Sequence, residues 1–366
     1  MSAMTKGAGI LALAMAGCGA APSTGVPGDP AVAEPLIFYT GYTASALPLT
    51  PQGMNDSGAI AGTTPTGAPA LYSGGTLTAL GTTPSDGCIR YSRLQPTSTN
   101  GVVGDCDTSA GTIPSFWFFL AWGPAHLPLQ VGYSAVSSAT VGGSTTGYSM
   151  VGTASGGPFP FGVAYRWSGP GATSLTSMQP VALGARTNYA YASTAVAMND
   201  AGYAAGLVYT PLDTYPVVWN PSNGVAILQA LGSYADYRTR PTVVKDSGYV
   251  AGLSGTSSAT GWYAMLWSQS GTLVNFVPIA NLASVDGLSA QGRLVGKAYT
   301  SSGYRAWTWY AGTLTWLDPP AGAAYLQPVG VDSCGRIAAQ AVTASGTASG
   351  VLLTKLLCDT IVVVAQ

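Results

Sequence analysis

Charge is what this sequence has least of. Only 7% of its 366 residues are Asp, Glu, Lys or Arg, and histidine occurs once, at His126. General acid–base catalysis and metal ligation both need several such groups gathered in one place, so neither is expected, nor is a cofactor. The 13 basic and 14 acidic side chains nearly cancel. With no basic face for a phosphate backbone, nucleic acid is excluded as an expected partner. The chain also has no Gly-x-Ser-x-Gly elbow and no His-Glu-x-x-His helix. Uninterrupted helix-forming stretches are missing too, because 49 glycines and 25 prolines break the chain.

What is abundant points to sheet. Apolar residues make up 47% of the chain, and Val, Thr and Tyr between frequent glycines suit short strands joined by tight turns. The expected class is all-β.

The N-terminus reads as an export signal, with Lys6 ahead of an apolar core from Gly7 to Gly17 that is too short to span a bilayer. Cys18 follows Met15-Ala16-Gly17. This order resembles the lipobox of bacterial lipoproteins, in which the cysteine is diacylated and becomes the mature N-terminus. The expected organisation is a signal peptide over 1–17, a Gly/Pro/Ala-rich tether over 18–35 and a single domain over 36–366. The lipid on Cys18 would make the membrane a partner and place the protein on the outer membrane or cell surface. Lipidation of Cys18 leaves four cysteines. The local pairings are Cys88 with Cys106 and Cys334 with Cys358, as suits an oxidising compartment.

A five-residue turn recurs along the domain. Met54-Asn55-Asp56-Ser57-Gly58 is echoed by Met198-Asn199-Asp200-Ala201-Gly202, Val244-Lys245-Asp246-Ser247-Gly248, Leu288-Ser289-Ala290-Gln291-Gly292 and Val331-Asp332-Ser333-Cys334-Gly335. Four of the five are followed by a small apolar stretch ending on a second glycine: Gly62, Gly206, Gly252 and Gly296; Ala339 takes that place in the last. Counting from Gly58 through Asn100, Gly147, Gly202, Gly248 and Gly292 to Gly335 gives steps of 42, 47, 55, 46, 44 and 43 residues. Each unit then shows a strand closing on Tyr72, Trp122, Trp167, Trp219, Trp267, Trp309 or Leu353, a Gly-bearing turn and another apolar strand. Four strands in about 45 residues is the signature of a propeller blade. The expectation is a β-propeller of seven four-stranded blades, or six or eight if the weak third unit or the 55-residue step is miscounted. The ends, 37–42 and 360–365, are expected to complete one blade together.

The order Asn-Asp-x-Gly-x-x-x-Gly, then strands such as Val163-Ala164-Tyr165-Arg166-Trp167, Tyr263-Ala264-Met265-Leu266-Trp267 and Arg305-Ala306-Trp307-Thr308-Trp309, resembles the bacterial HAF-repeat extracellular proteins. The resemblance covers about residues 37–355 and implies an exported propeller-like repeat domain. No unit keeps the histidine that names the repeat; Val163, Tyr215, Tyr263 and Arg305 stand in its place. A role tied to that histidine does not transfer.

The side chains of Asp56, Asp200, Asp246 and Asp332 are read as turn-fixing acceptors, with calcium coordination as the competing use. His126 is read as a solvated loop residue, and Asp105 and Asp107 as a solvated strand end. The repeat tryptophans are read as core. Trp117 and Trp262, each five residues ahead of one, are candidate ligand-stacking platforms together with Tyr263. The resulting expectation is a monomeric, exported, lipid-anchored, non-catalytic binding or structural module, with a cell-surface glycan or protein as its partner. A lectin-like propeller is the first alternative, and a carbohydrate-active enzyme using channel carboxylates the second.

Overall fold

The computed structural model describes residues 41–366 apart from 83–86, 98–100, 118–123, 127–134, 145–146, 156–161, 171–178, 183–191, 212, 231–238, 256–261, 280, 357 and 360–366. The expected signal peptide, tether and Cys18, and also Trp122, lie outside the described residues. Those described contain no helix and form seven four-stranded antiparallel sheets, the blades of a β-propeller. Numbering blades along the chain, their innermost strands are β2 (Thr50–Met54), β6 (Arg90–Pro96), β10 (Ala135–Ser144), β14 (Ala192–Met198), β18 (Arg240–Val244), β22 (Leu282–Leu288) and β26 (Tyr325–Val331). Each innermost strand touches the next, and β26 returns to β2, so the ring is closed.

Closure uses both ends of the chain. β1 (Tyr42–Ala46) is the outermost strand of blade 7 and pairs with β28 (Ala348–Lys355), from Tyr42↔Lys355 to Ala46↔Val351. The C-terminal member of this pair is 348–355, and β1 begins at Tyr42 after Gly41 turns the chain with φ of 83°; the rest of the expected closing segments, 37–40 and 360–365, lies outside the described residues. Pairing the two ends leaves blade 7 without the incomplete edge that a three-stranded sheet would expose.

The repeated turns follow from local chemistry. Gly58, Gly202, Gly248, Gly292 and Gly335 all have φ between 78° and 88°, the left-handed region that glycine enters freely. In four of the five turns the side chain that fixes the turn is that of the first residue after the strand; in the fifth that place is held by Lys245, which has no acceptor to offer. Asn55 Oδ1 accepts the N–H groups of Ser57 and Ala59, Asn199 Oδ1 that of Tyr203, Ser289 Oγ that of Arg293, and Asp332 Oδ1 those of Cys334 and Arg336. This corrects the reading of Asp56, Asp200 and Asp246 as turn-fixers: of the four aspartates only Asp332 stands at the capping position. The asparagines also tie blades together, Asn55 Nδ2 donating to Thr97 O and Asn199 Nδ2 to Lys245 O.

The second glycine has a separate cause. The innermost strands carry register shifts, among them Pro51/Gly53, Ala195/Ala197, Pro241/Val243 and Val285/Gly287. At Gly62, Gly206, Gly252 and Gly296 a Cβ would collide with the backbone carbonyl of Thr50, Thr194, Arg240 or Ser284 on the bulged strand. In these four blades the bulge brings the inner strand so close to its neighbour that a Cβ has no room, while in blade 7, with its own shift at Pro328/Gly330, Ala339 stands at the equivalent place.

Aromatic residues at the end of each third strand fill the spaces between blades. Trp167, Trp219, Trp267 and Trp309 are buried as expected. Trp117 belongs with them and is not a platform: it is fully buried, pairs with Val102 as Trp219 pairs with Ala204, and donates from Nε1 to Gly81 O at 2.8 Å, as Trp267 does to Gln229 O. The place assigned to Trp122 in the second unit is thus taken by Trp117. Both expected disulfides are present, Cys88–Cys106 and Cys334–Cys358.

Candidate functional site

The bulges and turns converge on a cavity of about 420 Å³ at the end of the channel that carries the repeated turns. This lies within the size range of small-molecule pockets. Its walls include Met54, Met198, Val243, Leu288 and Val331, and the strand shifts add side chains that differ from blade to blade: Arg93, Val196, Thr242, Asp286 and Val329. A bulge re-aims one residue per strand, so the repeating backbone presents a non-repeating set of side chains to the cavity.

The second turn residues, Asp56, Asp200 and Asp246, line the same mouth with Lys245. Lys245 Nζ of blade 5 reaches Asp56 Oδ1 of blade 1 at 3.1 Å, bridging blades that are not neighbours. Asp246 Oδ1 accepts the backbone N–H of Asp200 at 2.7 Å. Burial, and then the nearby carboxylates of Asp200 and Asp56, raise the Asp246 carboxyl above its ordinary range despite that bond and Lys245. Asp286 is raised as well, chiefly by burial; Ser284 Oγ donates to its Oδ2 at 2.8 Å and Lys297 opposes the shift. On the cavity rim Arg93, in the left-handed region with φ of 53°, is ion-paired to buried Asp105. Among the described residues no three His, Cys, Asp or Glu side chains are placed to hold a metal ion.

A carboxyl with a raised pKa holds its proton more tightly in the folded state, so stability falls as pH rises through the raised value. Asp246→Asn is therefore expected to raise Tm at pH 7, with the gain shrinking as pH falls through the Asp246 titration. Paired thermal melts at pH 7 and pH 4 check this; equal gains at both would mean that the raised Asp246 titration is not the cause.

The remaining sequence candidates lie away from the cavity. Trp262 and Tyr263 begin β20 (Trp262–Ser268) and are half-buried; Trp262 packs on the core between blades 5 and 6, and Tyr263 meets Phe276 edge to face, with ring centroids 5.7 Å apart. His126 is not a solvated tip: it sits in the short β9 (Ala125–His126), with Nδ1 2.9 Å from the hydroxyl of fully buried Ser115. Asp105 is not solvated either. Asp107 is bound by Arg90, Ser92 and Thr112. Burial works against its ionisation, but these bonds hold the carboxyl below its usual range.

No family model matches the chain, and no curated protein does. Among solved structures, a catalytically inactive virginiamycin B lyase from Staphylococcus aureus with quinupristin superposes with a TM-score of 0.51 at 11% identity, over 86% of this chain and 100% of that one. Dipeptidyl peptidase 4 of Porphyromonas gingivalis gives 0.49 at 11% identity; the match covers 88% of this chain and only 60% of the peptidase. A mutant Aleuria aurantia lectin in complex with alpha-methyl-L-fucoside gives 0.41 at 10% identity, over 79% of this chain and 99% of that one. At these identities the likeness is one of fold alone, and the seven-sheet ring makes the chain a β-propeller.

Proposed function

We propose that this propeller is an exported, lipid-anchored binding module without catalytic activity of its own. The observation that carries the reading is how the channel uses its charge. Lys245 and Asp56 hold each other across the mouth, Asp246 accepts a backbone N–H of the preceding blade, and Arg93 is paired to Asp105. These groups are bound to the ring itself, while the blade-specific Val196, Thr242, Asp286 and Val329 give the cavity a mixed polar and apolar wall. Export is supported by the Lys6 to Cys18 pattern and by two disulfides, which suit an extracellular location.

Two measurements test the reading. Purified protein incubated with xylan or polygalacturonate should release no reducing ends above the buffer control. Release that disappears in Asp286→Asn would overturn the non-catalytic claim. In cells, Cys18→Ser should abolish palmitate labelling and membrane retention together; labelling that persists in the variant would remove the anchor.

A further inference from the structure

The far end of the blades, away from the repeated turns, carries a different surface. In blade 6 the hairpin between β23 (Leu294–Thr300) and β24 (Gly303–Tyr310) sets Tyr299 directly opposite Tyr304, ring centroids 5.4 Å apart and edge to face. Tyr304 also meets Tyr325, which opens β26 of the next blade, at 5.8 Å. Tyr299 is 58% exposed and Tyr304 44%, so these rings are held by one another and not by a core. Lys297 Nζ lies 5.5 Å from the Tyr304 ring centroid. The hairpin tip is Thr300-Ser301-Ser302-Gly303, with the Thr300 and Ser302 hydroxyls 3.0 Å apart.

The equivalent hairpins elsewhere lack this feature. The pairs at the same place, three residues past the second repeat glycine or its counterpart, are Asp107↔Thr112 in blade 2, Tyr209↔Thr214 in blade 4, Gly255↔Trp262 in blade 5 and Val342↔Ala348 in blade 7, and none of them sets one aromatic ring opposite another. The turn therefore does not need a facing pair of tyrosines, and two partly exposed rings in contact, joined by a third from the next blade, make the kind of contiguous patch that marks a binding surface. The chemistry around them narrows the ligand. A protein interface surrounds its aromatic anchors with contacts that exclude water; here the neighbours are hydroxyls and one ammonium. A pyranose ring has the complementary make-up: a C–H face that packs on an aromatic ring, and a rim of hydroxyls that bond to Thr, Ser, Lys and phenol groups.

We propose that Tyr299, Tyr304 and Tyr325, with Lys297 and the Thr300–Ser302 hydroxyls, form a binding site for the pyranose units of a polysaccharide. This gives the binding module a ligand class and rests on that reading. The test is electrophoresis of the full chain through native gels cast with xylan, hydroxyethylcellulose or polygalacturonate. The expected result is retardation in at least one gel, with the dissociation constant weakened at least tenfold by Tyr299→Ala plus Tyr304→Ala. Tyr299→Phe plus Tyr304→Phe, which keeps the rings, should retain most of the binding, and Tm should confirm that each variant is folded. Absence of retardation in all three gels overturns the proposal. Retardation that survives the alanine pair but is lost in Asp286→Asn also overturns it, by moving the ligand to the cavity while leaving the binding-module reading intact.

Discussion

Asp359→Ala is expected to cost about 3–5 kcal/mol of folding stability, the loss typical of breaking a buried ion pair from one side. Asp359 follows β28 and folds back to the seam between blades 6 and 7. Its carboxylate takes two bonds from Arg293, at 2.5 and 2.6 Å, and one from Lys355 Nζ at 2.7 Å. The side chains of Arg293 and Asp359 are 5% and 1% exposed. Removing the carboxylate would leave the guanidinium in a site walled by the Tyr310 ring, 4.5 Å away, and the Thr308 hydroxyl. Neither replaces a counter-charge. Burial works against the ionised Asp359, but the bonds from Arg293 and Lys355 outweigh it and hold the carboxyl below its usual range. Its stabilisation is thus present above the ordinary carboxylate pKa and is lost as pH falls through the lowered value. Urea unfolding of Asp359→Ala, of Arg293→Met and of the double variant Arg293→Met with Asp359→Leu checks the account. The double variant, which leaves no buried charge on either side of the pair, should lose much less than Asp359→Ala. A loss below about 1 kcal/mol for Asp359→Ala would show that the seam does not depend on the pair.

The two repeated glycines should respond to alanine for different reasons and to different extents. At Gly248, with φ of 88°, a Cβ has only the Gln269 side chain nearby, at 3.6 Å or more. Gly248→Ala therefore pays the backbone term alone, about 1–2 kcal/mol. At Gly206 a Cβ would strike the Thr194 carbonyl, fixed backbone that cannot swing aside, and would crowd the Trp219 ring. Gly206→Ala must displace the innermost strand of blade 4, and overpacking of that kind costs about 1–3 kcal/mol or more. The displaced strand also lines the cavity, through Val196. Gly206→Ala should consequently distort the cavity wall as well as cost stability, and Gly248→Ala should cost stability alone. Chemical denaturation curves rank the two; a larger loss at Gly248 would contradict the bulge argument.

What could be read from the sequence was whatever repeats. Turn glycines, four strands per unit and core tryptophans each carry a local signal that returns every 42–55 residues, and the cysteines pair within single units. Where that signal was ambiguous, the reading slipped. Asn55 and Asp56 are adjacent and chemically alike, so sequence alone could not show that the first caps the turn while the second is left for the channel. Trp117 follows Asn100 by 17 residues, the same step as Gly202 to Trp219, and Trp122 by 22, beyond the 14–20 of the other units; the spacing favours Trp117, but both tryptophans close the same apolar run. The bulges leave no mark except the second glycine, whose cause becomes visible only once the opposing carbonyl is placed. Tyr299, Tyr304 and Tyr325 escaped notice because they come from two blades, and exposure is not written in residue type.

The central claim is that one chain closes a ring by pairing its first described strand with its last. Thr43 and Thr354 face each other in that pair, and opposed residues in an antiparallel ladder have Cβ atoms about 4.5–5.5 Å apart, close enough for a disulfide after small adjustment. Peptide mass spectrometry of the Thr43→Cys, Thr354→Cys variant under oxidising conditions should recover the two segments as one cross-linked species, with Cys88–Cys106 and Cys334–Cys358 intact. Recovery of both new thiols free and open to alkylation in the folded protein would contradict the closed propeller.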